Sequence, residues 1–136
     1  MKNLWPEKFE ENSNPSAKSI LEEQTELLPK ITNGIVDAEV VNSDDIIENI
    51  ENDFSYRFNL IGRFIKNYRF KVLSFFHDIT LYPVYFNLDE EIATELGYKD
   101  NNIKIQTPES LEEFLRTVLQ SERVKKVIGS IIKLSK

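Results

Sequence analysis

Residues 53–88 read DFSYRFNLIGRFIKNYRFKVLSFFHDITLYPVYFNL, and the reading of this stretch decides the fold. It holds eleven of the chain's fifteen aromatic residues, its only histidine and five of its seventeen basic residues. From 54 to 61 the residues alternate: Phe54, Tyr56, Phe58 and Leu60 against Ser55, Arg57 and Asn59. A period of two with one apolar face is the pattern of a half-buried antiparallel strand. Residues 62–67 form the return loop. From 68 to 77 the pattern repeats, with Tyr68, Phe70 and Val72 inward and Arg69 and Lys71 outward. Beyond Val72 both faces turn apolar through Leu73, Phe75 and Phe76. Either a bulge shifts the register there, or something covers both faces. After a turn at 78–80, residues 81–88 form a fourth strand, with Tyr82, Val84, Phe86 and Leu88 on one side. Pro83 cannot donate to a ladder, which places this strand at or near an edge.

Working outward, residues 35–41 form a strand with Val36, Ala38 and Val40 on one face and Asp37 and Glu39 on the other, poised to pair across to Arg57. Residues 42–52 are acidic and loop-like, with a short helix over 44–50 as the alternative. Residues 1–14 form an irregular arm whose Trp5 and Phe9 are expected to dock on the body, with docking of a partner as the alternative. A helix follows, capped by Asn14 with Pro15 in the first turn. Ala17, Ile20, Leu21, Gln24, Leu27, Leu28 and Ile31 share one of its faces. Pro29 ends or kinks it near Leu28, before the stop at Asn33-Gly34. A helical turn or two lies within 88–96, ended by Gly97, and residues 103–106 add a short strand.

Thr107-Pro108 starts a helix with Leu111, Phe114, Leu115, Val118 and Leu119 as its buried stripe, and Ser121 caps a last one. In that last helix Val124, Val127, Ile128, Ile131 and Ile132 face inward, and Gly129 marks a close helix crossing. A run of strands flanked by helices indicates an α+β domain. Specifically, a meander of four to five antiparallel strands carries one N-terminal and two C-terminal helices on one face. Residues 15–136 are expected to form that single domain.

Composition narrows the function classes. The chain has 136 residues and a net charge of −6, distributed as −8 over residues 1–52, +3 over 53–88 and −1 over 89–136. An acidic chain repels a phosphate backbone. The strand alternation also separates the aromatics of 53–88 from its cations, whereas a nucleic-acid platform needs both on one exposed face. Neither nucleic acid nor a membrane surface is expected as partner. With no cysteine and one histidine, neither a thiolate nor a zinc site is expected, and cofactors are not expected. The cysteine-free composition and the lack of an apolar leader point to a cytoplasmic protein. The four glycines are far apart, so no phosphate-cradling loop is formed. His77-Asp78 is the one pair resembling a base with its orienting carboxylate, but strand neighbours point to opposite faces.

The expectation is a binding protein rather than an enzyme. If helices cover one sheet face, the other presents Arg57, Asn59, Arg69 and Lys71, running toward Leu73, Phe75, His77 and Tyr85. A polar face grading into an apolar patch suits a protein partner or a second copy of the chain. The alternative is a small-molecule site or enzyme pocket near Phe75 to His77 and Tyr82 to Tyr85.

Overall fold

A computed structural model describes residues 1–43 and 54–136; the expectation for 44–50 lies outside them. The order is α1 (Ala17–Ile31), β1 (Val36–Asn42), β2 (Phe54–Gly62), β3 (Tyr68–His77), β4 (Val84–Leu88), α2 (Glu90–Glu95), β5 (Asn102–Ile105), α3 (Pro108–Leu119) and α4 (Glu122–Leu134). The five strands form one antiparallel meander in chain order, each pairing with its sequence neighbours. The fold is α+β, as the alternation of 54–77 requires.

Each helix begins where a short polar side chain can accept an orphan backbone N–H. Ser16 accepts from Ser19, Asp89 from Ile92, Thr107 from Ser110 and Ser121 from Val124. The first of these corrects the expected cap: Ser16, not Asn14, starts α1. Pro29 lies inside the helix in its last turn, and α1 continues to Ile31. A proline there costs one hydrogen bond near an end where bonds are already running out. Asn33 and Gly34 then take left-handed conformations, φ 54° and 79°, and turn the chain into β1.

The core is a single cluster between one sheet face and the helices. Phe58, Leu60, Phe70, Val72, Leu73, Phe75, Val84, Phe86 and Leu88 supply the sheet side. Ala17, Leu21, Ile92, Leu111, Phe114, Leu115, Val118, Val124 and Ile131 supply the helix side. Phe86 meets Phe114 of α3 with ring centroids 4.8 Å apart. The α1 stripe is narrower than its periodicity: Leu27 and Ile31 are exposed. β4 is internal, between β3 and β5. Pro83 sits before the strand, after a cis peptide bond, so it removes nothing from the ladder and does not mark an edge.

The break in alternation after Val72 is a β-bulge. Phe58 pairs with Leu73 and Asn59 with Lys71, which leaves Val72 as the extra residue on β3. Its carbonyl accepts from the Asp89 N–H at 2.9 Å, so the bulge is held by the start of α2. Asp89 and Glu91 in turn pair with Arg123, at 3.5 and 3.0 Å. The Arg123 guanidinium lies 5.1 Å above the Phe70 ring. Glu95 accepts the first two backbone N–H groups of α4, those of Glu122 and Arg123. A carboxylate placed there satisfies two orphan donors and complements the helix dipole.

Gly129 does not mark a helix crossing. It is exposed, and a Cβ built on it meets nothing within 4 Å. Glycine therefore only weakens the helix by its backbone freedom. Gly129→Ala is expected to stabilise the protein by about 0.5–1 kcal/mol in urea denaturation. A loss of stability would show that the space beside Gly129 is in use.

Candidate functional site

Cross-strand partners in an antiparallel sheet share a face, so the register assigns every strand residue to a side. Tyr56 pairs with Phe75, Phe75 with Phe86, and Phe58 with Leu73. These residues lie on the helix-covered side. Arg57 pairs with Ser74 and Ser74 with Asn87; Ser55 pairs with Phe76, Phe76 with Tyr85, and Tyr85 with Lys104. These lie on the other side, where no described helix packs.

The candidate residues therefore divide. Arg57, Asn59, Arg69, Lys71 and Tyr85 are on the uncovered face. Leu73, Phe75 and His77 are not, and the expectation that they continue that face is corrected. Leu73 and Phe75 are 0% exposed and His77 is 4% exposed. The physical reason is the bulge: one extra residue at Val72 moves every later side chain of β3 to the opposite side. Ser74 and Phe76 take the places expected for Leu73, Phe75 and His77. Pairing partners on β4 and β5 were not assigned from the sequence, so Lys104 was missed as a member of this face.

The uncovered face changes character across the strands. On β1, Asp37 pairs with Arg63, and Glu39 accepts from the Arg69 Nε at 2.9 Å and from the Asn59 side-chain amide at 2.8 Å. The expected partner for these acids, Arg57, is instead opposite Val41. Toward β3, β4 and β5 no acidic side chain among the described residues shares the face. Phe76 stacks on Tyr85, with centroids 4.9 Å apart and planes 13° from parallel. Phe76 is the buried member at 7% exposure, and Tyr85 is half-buried above it. Lys104 reaches over the Tyr85 ring at 5.9 Å. Among the described residues Arg57 makes no hydrogen bond or ion pair, and its Nε is buried from solvent without an acceptor. An unpaired buried donor on a charged group is costly, and the Arg123 Nε on the helix side is in the same state.

His77 and Asp78 are not a catalytic dyad. The His77 Nδ1 is 2.7 Å from the Asp78 backbone carbonyl, not its carboxylate. That carboxylate accepts from the Thr80 hydroxyl and amide, and these bonds hold its pKa below the usual carboxylate range. The His77 ring stacks with Phe54 and Tyr56 in the core wall. Tyr82 donates to the Pro15 carbonyl at 2.9 Å. Burial, and then the Glu109 carboxylate, push its pKa up.

The clefts lined by described residues include two. One, of about 220 Å³, lies between the β2–β3 loop and α4, lined in part by Ile65, Tyr68, Lys126 and Leu134. The other, of about 300 Å³, lies between α1 and α3. Neither touches Phe75, His77, Tyr82 or Tyr85, the region expected to hold a small-molecule pocket. Among the described residues no group of three or more His, Asp or Glu side chains could hold a metal ion. No described helix is long and apolar enough to cross a membrane.

The N-terminal arm also departs from expectation. Trp5 and Phe9 are 74% and 73% exposed and touch each other, with centroids 5.9 Å apart, rather than docking on the body.

No protein-family model matches this sequence, and comparison with curated proteins and with solved structures gave no match.

Proposed function

We propose that this chain is a small interaction module that binds a protein partner, or a second copy of itself, through the sheet face opposite the helices. The observation that carries this reading is Arg57: a guanidinium on the β2 side of that face, unpaired among the described residues, its Nε without an acceptor. Around it the half-buried Tyr85, stacked on Phe76, offers the amphipathic aromatic surface favoured at the centre of protein interfaces. The cysteine-free composition fits the cytoplasm as the setting.

The face is a better docking surface than the free edge at β1. Two copies pairing antiparallel through β1 would oppose Asp37 to Glu39, or Glu39 to itself, and like charges directly opposite are destabilising.

The test combines absolute mass in solution with affinity capture from the native host. Tyr85→Ser together with Lys104→Glu is expected to remove the captured partner, or to convert an oligomer to monomer. The urea midpoint of this variant should remain near that of the parent. Unchanged mass and an unchanged set of captured proteins would overturn the reading, as would a parent chain that is monomeric and captures nothing.

A further inference from the structure

We infer that the partner segment is an extended acidic strand, with two carboxylates four residues apart and an apolar side chain midway between them. This rests on the docking reading above and adds the chemistry of what docks.

Two of the cations on the face are already engaged. Arg69 is paired with Glu39, and Lys71 has a partner of its own. Arg57 has none among the described residues, and Lys104 meets only the ring of Tyr85. The two lie at opposite sides of the face, on β2 and β5. Three inter-strand steps of about 4.8 Å separate them, with an offset of one residue pair along the strands, so they are roughly 16 Å apart. The Phe76–Tyr85 stack lies between them. The order across the sheet is therefore cation, aromatic pair, cation.

Extended chain advances about 3.3 Å per residue and sets residues i, i+2 and i+4 on one face, and Lys104 leans back over Tyr85, so two carboxylates that reach both cations are four residues, about 13 Å, apart. A segment crossing the strands would set its first carboxylate against Arg57. The terminal guanidinium N–H groups would donate to its oxygens. An apolar side chain would cover Tyr85, and the second carboxylate would reach the Lys104 ammonium. Filling the site neutralises two cations, a gain that a neutral or basic segment could not supply. Among the described residues the rest of the face adds no opposing acid beyond Asp37 and Glu39, both already paired.

The probe is a fluorescein-labelled ten-residue peptide with two glutamates four residues apart and leucine midway between them, so that all three side chains share one face of the extended segment. Two controls replace both glutamates with glutamine or with lysine. Binding is followed by anisotropy, and its location by amide shifts of the isotopically labelled full-length chain. The acidic peptide is expected to shift amides around Arg57, Tyr85 and Lys104. The glutamine peptide should bind at least tenfold more weakly, and the lysine peptide not at all. Arg57→Gln, which keeps the length and polarity of the side chain, should cost the acidic peptide at least tenfold with no change in the chain's amide dispersion. Raising the salt should weaken binding further. If acidic and glutamine peptides bind this face equally well, the face docks segments but the acidic inference is overturned. If none of the peptides shifts amides on this face, the inference and the docking reading both fall.

Discussion

Phe58→Ala is expected to destabilise the protein by about 3–5 kcal/mol. Phe58 sits at the centre of β2, pairs with Val40 on one side and Leu73 on the other, and is among the largest fully buried side chains. Truncation removes the transfer free energy of a whole ring and leaves a cavity walled by two strands that cannot close over it. The residue also adjoins the bulge, since the register shift falls between Phe58 and Asn59. Its ring therefore fills space at the point where the sheet twists most. A urea melt gives the measurement. A change below 1 kcal/mol would mean that Phe58 does not face the core.

Phe75→Ser is expected to cost at least as much. It combines the loss of a fully buried ring, about 3–5 kcal/mol, with a hydroxyl placed where no acceptor is available, roughly 1–3 kcal/mol more. Phe75 contacts Tyr56 at 5.2 Å and Phe86 at 5.5 Å between centroids, so the cavity would open along an aromatic row spanning β2, β3 and β4. Against a typical total of about 5–15 kcal/mol, the variant should be largely unfolded at moderate urea. A face assignment that ignored the bulge would make the opposite prediction, a folded chain with an altered surface. Circular dichroism and a urea midpoint distinguish the two: a folded Phe75→Ser chain with near-parental stability would contradict the register.

The contrast between these two residues measures how much of the fold was legible in the sequence. Phe58 could be placed because strict alternation from Phe54 to Leu60 leaves only one way to bury Phe58 and Leu60 together. Helices α3 and α4 could be placed because each joins a cap to an apolar stripe. Phe75 could not be placed, because a single extra residue reverses a period-two pattern. Nothing local in KVLSFFH says whether Val72 is paired or bulged. What fixes it is distant: the Asp89 N–H that binds the Val72 carbonyl, and the pairing of Phe75 with Phe86.

The candidate site inherits the same division. Arg57, Asn59, Arg69 and Lys71 lie before the bulge and were assigned to the uncovered face from alternation alone. Leu73, Phe75 and His77 lie after it and belong to the core. Lys104 was invisible because its membership depends on the pairing of β4 with β5, which places it beside Tyr85. Trp5 and Phe9 were expected to dock because exposed aromatics are costly. Contact with each other covers only part of that surface.

The account rests on which side of the sheet each residue occupies, and the absence of native cysteine makes that directly measurable. Single cysteines introduced as Leu73→Cys and Lys104→Cys can be treated with a thiol reagent under native conditions. Lys104→Cys should be modified at the rate of an unfolded peptide. Leu73→Cys should be protected until the chain is denatured. Equal modification of both under native conditions would contradict the bulge, the face assignment and the surface built on it.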